Sequence, residues 1–311
     1  MTSGSGAGSM TAATSMTTAV QPSVVAEAEA MADAADARAG IRTRPAQPRE
    51  LDGVLARFEA TWGARRGPDR SMVQAIEHAG NTVLVAVPSP PGGDSTSAAV
   101  NGPEAAPLGA TLGFLGWSGG LHLHSHMNAV DPAARGRGIG VALKIRQRAV
   151  CLAHGVTEMR WTYDPLIRRN ARLNLVRLGA EVAAYFPDFY GELGDAITGA
   201  DRSDRFEVRW RLDAPRTARA LAQGPVPAWH AEGGVPLVAD YERVRAEDPA
   251  QAARLRDASR AAFAVLTGDT GTGTGTGTGA GSGTGAGTGL RVELDANGDY
   301  VFTHDDPDRE A

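Results

Sequence analysis

The stretch that decides the fold of this chain is VDPAARGRGIGVALKIRQRAV, residues 130–150. An apolar segment that ends at Val130 leads into RGRGIG, residues 135–140, which holds three glycines and two arginines. Apolar residues then recur at helical spacing from Ile139 to Leu152. A glycine-rich turn between a strand and a helix predicts an anion site, because free backbone N–H groups and the helix dipole both favour negative charge there.

A purely structural interpretation of the same turn stays open. Glycine is needed wherever φ is positive, and Arg135 and Arg137 can be solvated surface charges. Two nucleotide-binding motifs are excluded: a P-loop requires Gly-Lys-Ser/Thr where Ile139 and Gly140 follow Gly138, and a Rossmann fingerprint requires G-x-G-x-x-G spacing. The turn therefore either binds the phosphate of a ligand through some other motif or has a purely structural role.

Composition limits the classes of function. The chain has 311 residues, of which 42% are hydrophobic, enough for a substantial core. A formal net charge of −5 gives no overall electrostatic argument for nucleic acid. The single cysteine, Cys151, excludes an intrachain disulfide and fits a reducing cytosol. No run of 18 apolar residues and no signal-peptide pattern are present, so no membrane span is expected and the predicted location is the cytoplasm.

Changes in composition divide the chain into three parts. Residues 1–40, rich in Ala, Ser, Thr and Gly, are predicted to be a disordered tail, with at most a transient helix over 24–38. Residues 41–212 form the main domain, with 88–107 as a loop insertion. Residues 213–311 form a small α+β extension that contains a Gly/Thr-rich disordered insert over 268–289.

Hydrophobic spacing gives the order of elements in the main domain. It predicts helices over 49–62, 71–79, 138–154 and 170–178, and strands over 83–87, 108–117, 121–130, 156–163, 181–186 and 205–212. The glycine-rich turn thus lies between the third of these strands and the third helix.

This order, together with the turn, resembles the GNAT acyltransferase superfamily. Its phosphate motif is Q/R-x-x-G-x-G/A, which residues 135–140 match. Residues 161–191, WTYDPLIRRNARLNLVRLGAEVAAYFPDFYG, and 203–210, SDRFEVRW, are similar to a poorly characterised bacterial branch with a C-terminal extension. The resemblance implies an α+β, GNAT-type acyl-CoA N-acyltransferase fold: a mixed, mostly antiparallel sheet flanked by helices, with a small α+β appendage.

The cofactor that the resemblance implies is an acyl-CoA, most often acetyl-CoA. Its diphosphate would contact the turn, and its pantetheine would pair with the strand before the turn. The residues expected to bind it are Asn128, Ala129, Val130, Arg135, Gly136, Arg137, Gly138, Ile139, Gly140 and Asn170. The implied reaction is direct attack of an acceptor amine on the thioester, with no covalent enzyme intermediate.

The general base that the resemblance implies is His124, which lies eleven residues before Arg135. His126 is the second choice. Because His122, His124 and His126 alternate, they are predicted to share one face of a strand. Imidazoles about 6–7 Å apart along a strand suit a metal poorly, so no metal is expected, and hydrogen-bonded roles on a sheet face stay open.

The general acid is harder to assign. Many family members carry a tyrosine four residues before the glycine that ends the next helix, and that position here is Leu175. Tyr163, Tyr185 and Tyr190 are near in sequence, and Tyr190 completes the set of candidate catalytic residues. Asn174, one turn from Asn170, is expected to have a structural role.

Two hypotheses of different class follow. The first is an acyl-CoA-dependent N-acyltransferase that acts on an amine of a small molecule or protein. The second is a non-catalytic acyl-CoA-binding sensor, which Leu175 and the extension favour. Nucleic-acid binding through the arginines is disfavoured by the net acidity, and a homodimer is left open.

Overall fold

The computed structural model of the chain describes residues 20–64, 67–89, 106–194, 199, 201–267 and 289–308. The predicted loop insertion and the predicted Gly/Thr-rich insert lie almost wholly outside these residues. Within the described residues, no helix combines the length and apolar character that a membrane crossing requires.

The main domain and the segment before it contain five α-helices and seven strands within the described residues. The helices are α1 Pro22–Ala39, α2 Leu51–Trp62, α3 Arg70–His78, α4 Ile139–Ala153 and α5 Arg168–Ala171, the last continued by a π-helical turn, Arg172–Arg177. The strands are β1 Ile41–Pro45, β2 Val83–Pro88, β3 Gly109–Gly116, β4 His122–Val130, β5 Glu158–Tyr163, β6 Glu181–Phe186 and β7 Arg205–Arg211.

The seven strands form one sheet in the order β1-β2-β3-β4-β5-β7-β6. All neighbours are antiparallel except β4 and β5. The mixed, mostly antiparallel sheet flanked by helices that the resemblance implied is therefore confirmed. The parallel pair is short: it joins only Leu123 to Met159 and His124 to Arg160 in the described part of the chain. Beyond these pairs β4 and β5 form a wedge.

A β-bulge in β4 lies at the start of this wedge. Leu112 and Gly113 are adjacent in β3, whereas their partners Met127 and Ser125 are two residues apart, so His126 is the extra residue. One extra residue reverses which side chains face each side of the sheet. Ser125 bonds to α4 before the bulge, and Asn128 does so after it. The sequence did not predict this irregularity.

Helices cover both sides of the sheet. α2 and α3 pack on one side, where Val54, Phe58 and Val73 are buried against β2 and β3. α4 packs on the other side, with Ile139, Leu143 and Leu152 almost fully buried. Burial of such side chains stabilises the fold by about 1.5–3 kcal/mol each.

The N-terminal part differs from the prediction of a disordered tail over residues 1–40. Pro22–Ala39 form α1, which packs along α4 through a stripe of alanines, Ala28, Ala32, Ala35 and Ala39. Arg146 of α4 forms ion pairs with Glu29, Asp33 and Asp36 of α1. Alanine has high helix propensity but little apolar area, so helix formation here depends on ion pairs with a distant segment. Residues 1–19 lie outside the described part.

In its described residues, the extension adds three α-helices and a three-stranded sheet. These are α6 Pro215–Leu221, α7 Tyr241–Glu247 and α8 Pro249–Thr267, with β8 Gly233–Val235, β9 Arg291–Leu294 and β10 Tyr300–Thr303 in the order β8-β10-β9. Phe263 and Tyr300 pack against Phe206 of β7 with ring centroids 4.6 and 5.5 Å apart. The extension therefore shares one hydrophobic core with the main domain.

Candidate active site

The glycine-rich turn requires glycine and also leaves its backbone accessible. Gly136 and Gly138 have φ angles of 83° and 87°, in the left-handed region that other residues rarely adopt. A Cβ atom at either position would have no heavy atom within 4 Å. Gly138 is the N-cap of α4, whose first amides have no partner within the helix. The positive φ angles support the structural interpretation, and the exposed amides at the start of α4 leave the anion-binding interpretation open.

A buried acceptor atom lies beside the start of α4. Asn128 Nδ2 donates to the carbonyl oxygen of Gly140 at 3.1 Å, whereas Asn128 Oδ1 is buried without a hydrogen-bond partner in the described structure. Buried polar atoms are nearly always paired in native proteins. A ligand with an N–H group, such as the amides of pantetheine, would satisfy this oxygen, so the residues present fit an acyl-CoA.

The two arginines of the turn have different roles. Arg137 Nη2 donates to the carbonyl oxygen of Ala39 at 2.8 Å, at the C-terminal end of α1. Its guanidinium therefore holds the N-terminal helix, and the predicted contact of Arg137 with the cofactor depends on its backbone N–H. Its backbone amide remains in the turn. Arg135 is exposed, and its side chain makes no hydrogen bond within the described residues, which leaves it accessible to a phosphate.

The wedge between β4 and β5 begins where β4, the strand predicted to pair with the cofactor, stops pairing with β5. Asn128, Ala129 and Val130 pair with β3 on one edge. On the other edge, no strand of the described chain pairs with them. An extended ligand could pair with this edge as an added strand. The structure thus places the open backbone edge of β4 next to the turn, and it adds the orphan oxygen of Asn128, which the sequence did not predict.

Two of the candidate catalytic residues form a cluster. The rings of His124 and His126 lie 6.0 Å apart, and Phe114 of β3 lies 5.3 Å from His124. Burial, followed by the neighbouring charges of His126, His122 and Lys144, lowers the pKa of His124 to about 4. Packing around His126 lowers its pKa as well. His124 is therefore neutral at pH 7, but it is a weaker base than a free histidine.

His122 takes a structural position. It is buried, and its Nδ1 lies 2.8 Å from the carbonyl oxygen of Gly120, in the turn between β3 and β4. Among the described residues, no three His, Cys, Asp or Glu side chains are grouped so that they could hold a metal ion. The histidines of β4 therefore line a sheet face without forming a metal centre there.

Tyr190 lies on the same side of the sheet, apart from the histidines. It is 41% exposed, and its hydroxyl is 3.1 Å from Thr162 Oγ1. No hydrogen bond or ring contact joins Tyr190 to His124 or His126 within the described structure. Tyr163 and Tyr185 are buried and hydrogen-bonded, to Tyr300 and Asp204 respectively, which removes both as acids.

Asn174 and Asn170 differ in their contacts. Asn174 Oδ1 accepts from Trp161 Nε1 at 3.2 Å, which agrees with a structural role. Asn170 is half-buried in α5, just after β5. Its predicted role in ligand binding stays a prediction. Leu175 is buried in the core, so this position offers no side chain that could donate a proton.

Two residues near the site, Glu207 and Lys144, were not predicted from the sequence. Glu207 of β7 pairs with Thr162 and has no hydrogen-bonding partner for its carboxylate in the described structure; burial raises its pKa. Strict alternation in RFEVRWRL would have placed it on this face. Lys144 of α4 is buried, with its Nζ 3.8 Å from the centroid of Trp161. The sequence feature that could have drawn attention to it is that it is the single lysine of the chain.

No protein-family model matches the chain. No curated protein matches it either. Among solved structures, similar ones include the ribosomal-protein-S18-alanine N-acetyltransferase of Escherichia coli, at 13% identity and a TM-score of 0.42, over 55% of this chain and 94% of that one. Diaminobutyrate acetyltransferase EctA of Paenibacillus lautus, solved with coenzyme A and L-2,4-diaminobutyric acid, is similar at 16% identity and a TM-score of 0.41, over 55% of this chain and 95% of that one.

A third similar structure is Chaetomium thermophilum Naa20 in complex with a bisubstrate analogue, at 17% identity and a TM-score of 0.40, over 60% of this chain and 92% of that one. These likenesses concern the fold of a little over half of the chain. They identify neither a reaction nor an acceptor for this protein.

Proposed function

We propose that the protein is an acyl-CoA-dependent N-acyltransferase that transfers an acetyl group from acetyl-CoA to an amine. The observation that carries the proposal is the turn at Gly136 and Gly138, which presents unpaired amides at the N-terminus of α4 beside the open edge of β4. An anion-binding helix start next to an unpaired strand edge suits a ligand that is a diphosphate at one end and an extended amide chain at the other.

The cofactor would be held by three groups of atoms. The amides of residues 137–140 and the guanidinium of Arg135 would bind its diphosphate. The edge of Asn128–Val130 and the Oδ1 atom of Asn128 would bind its pantetheine. When bound, the cofactor supplies an activated acyl thioester. Asn170, just beyond β5, is proposed as a further ligand-binding side chain.

The acceptor amine would approach from the side of the sheet opposite to α4. His124 and Arg160 are partners across the parallel pair, so their side chains share a face, and Thr162 and Glu207 continue it. Neutral His124 accepts the proton that the acceptor nitrogen loses, with His126 beside it as the second base. Tyr190 forms part of the acceptor surface through Thr162.

The test is release of free thiol from acetyl-CoA with a panel of small amines and N-terminal peptides. We expect turnover with at least one acceptor and a loss of about 100-fold or more in kcat for His124→Ala. His154→Ala is the matched control, because His154 is exposed at the far end of α4. Equal turnover in His124→Ala and His154→Ala would remove His124 from the mechanism.

A second candidate function is an acyl-CoA-binding sensor without turnover. Two observations favour it: Leu175 occupies the position of the usual acid, and the lowered pKa of His124 reduces its basicity. Saturable CoA binding with no thiol release across the whole panel would establish this alternative over catalysis.

A further inference from the structure

We propose that Lys144 is the general acid of the reaction and protonates the departing thiolate at the apex of the wedge between β4 and β5. This inference rests on the proposed function and deepens it, because it supplies the acid that Leu175 cannot. The acceptor nitrogen forms a bond to the thioester carbon and gives a proton to His124, the C–S bond breaks with its electron pair on sulfur, and a proton moves from Lys144 Nζ to that sulfur. Solvent later removes the proton from His124 and returns one to the neutral amine of Lys144.

The first observation is that this position holds a lysine and not an arginine. Lys144 is the single lysine among 31 basic residues, and every other one is an arginine. Arginine stays protonated in proteins, whereas a buried lysine can release its proton. Among the lysine and arginine side chains, only the one at this position can thus release a proton near neutral pH, and this position lies in the wedge.

The geometry of the wedge is the second observation. Lys144 Nζ lies 2.7 Å from Ser125 Oγ of β4 and 3.8 Å from the centroid of Trp161 of β5. Ser125 and Trp161 each follow the last paired residue of their strand, His124 and Arg160. The ammonium group therefore bridges the two strands at the point where they separate, between the cofactor edge and the acceptor face.

A hydrogen-bond chain fixes the orientation of the ammonium. Ser125 Oγ donates to Gln147 Oε1 at 2.7 Å, and Gln147 Nε2 donates to Thr82 Oγ1 at 2.9 Å. Because the hydroxyl hydrogen of Ser125 is already used, its oxygen must accept from Lys144. The lysine is thus held as a donor, with two further N–H bonds to offer.

No carboxylate compensates the charge within the described residues. The groups that face Lys144 are Ser125 from β4, Trp161 from β5, Gln147 and Cys151 from α4, and His124 through the strand. Burial raises the pKa of Cys151 to about 12, and His124 is neutral, so no anion is present at pH 7. A buried cation without an anion is costly, and an incoming thiolate would pair with it.

The acidity of Lys144 matches this task. Burial lowers its pKa to about 7. A thiol has a pKa of about 8.5, so proton transfer from Lys144 to a thiolate is favourable. Near neutral pH a large fraction of Lys144 is protonated and can donate.

The deciding experiment measures kcat against pH for the unaltered protein and for Lys144→Met, with acetyl-CoA and the acceptor both saturating. With Lys144 present, we expect kcat to fall as pH rises above about 7, because the acid loses its proton there. With Lys144→Met, this fall should be absent, while calorimetry shows CoA affinity within about 3-fold.

An identical dependence of kcat on pH in both proteins, at equal CoA affinity, would overturn the proposal and leave the proposed function standing. Absence of any CoA binding would overturn both. The size of kcat gives a second readout: Lys144→Met and Lys144→Arg should each lose about 100-fold or more, because neither side chain can release a proton. Full activity of Lys144→Arg would show that charge alone suffices and would contradict proton donation.

Discussion

Arg137 Nη2 donates a hydrogen bond to the carbonyl oxygen of Ala39, which ties the last turn of α1 to the glycine-rich turn. The two arginines of RGRGIG are thereby divided between protein structure and ligand binding. Arg137→Ala should lower the free energy of unfolding by about 1–2 kcal/mol, since it removes a charge-assisted hydrogen bond. Urea unfolding of the pure protein measures this loss.

Arg135→Ala is the matched variant on the same turn. We expect no change in unfolding and a loss of about 5-fold in CoA affinity, the size of an exposed charge contact with a phosphate. Arg137→Ala should weaken CoA binding less than Arg135→Ala does. The reverse ranking by calorimetry would show that Arg137 leaves Ala39 to bind the ligand.

The pH dependence of turnover tests the environment of His124. Burial keeps its pKa near 4, so the imidazole is neutral and active above about pH 5, and protonation removes the base only below that. We expect kcat/KM with an acceptor of low pKa to stay level from pH 7 down to about 5. A fall centred near 6.5, with activity regained on return to pH 7, would mean that His124 is solvated like a free histidine.

The buried ammonium of Lys144 should reduce stability in a pH-dependent way. Its folded pKa of about 7 lies below its ordinary value of 10.5, so the unfolded chain binds the proton more tightly and the cost is fully present below pH 7. This cost falls as pH rises from 7 and disappears above 10.5. Lys144→Met should therefore stabilise the protein at pH 6 by on the order of 2–4 kcal/mol and lose that advantage by pH 10.

Urea unfolding of both proteins across this range is the measurement. Because the chain has one lysine, a protein labelled with 13C at lysine Cε gives a single resonance that reports the Nζ titration directly. A constant stability difference between pH 6 and 10, or a midpoint above 9, would show that the ammonium is solvated or paired.

The extension is joined to the main domain by a buried arginine. Arg256 of α8 forms ion pairs with Asp164, at the end of β5, and with Asp201, each at 2.8 Å. Arg256→Met should destabilise the whole protein by about 3–5 kcal/mol, because the largely buried Asp164 loses its ion-pair partner and, within the described residues, Asp201 keeps only its longer pair with Arg245. Arg202→Ala, which breaks an exposed pair with Asp257, should change stability by less than about 1 kcal/mol. Similar effects of the two variants would show that the Arg256 pairs are solvated.

Much of the main domain could be predicted because its signals are local. The alternation of RFEVRWRL and the apolar spacing of α4 predicted strand and helix within one or two residues of their observed bounds. The turn at residues 135–140 was located by its glycines, two of which have the positive φ that requires glycine.

The remainder depends on contacts between distant segments. The helix Pro22–Ala39 is held by Arg146, more than a hundred residues away, and its alanine stripe carries a weak hydrophobic signal. The bulge at His126 follows from the pairing register with β3, which no single segment specifies. Lys144 acquires its role only once Ser125 and Trp161 surround it, and in the sequence it is one basic residue in an amphipathic helix.

The central claim, that the amides of the glycine-rich turn bind the diphosphate of CoA, is tested most directly by calorimetric titration of CoA into Gly138→Ala and Gly155→Ala. These glycines flank the two ends of α4, both have positive φ (87° and 73°), and a Cβ at either meets nothing within 4 Å. Both variants should lose a similar stability of about 1 kcal/mol. Gly138→Ala alone should weaken CoA binding, by about 10-fold or more; equal CoA affinity in both variants, or no binding heat with the unaltered protein, would contradict the claim.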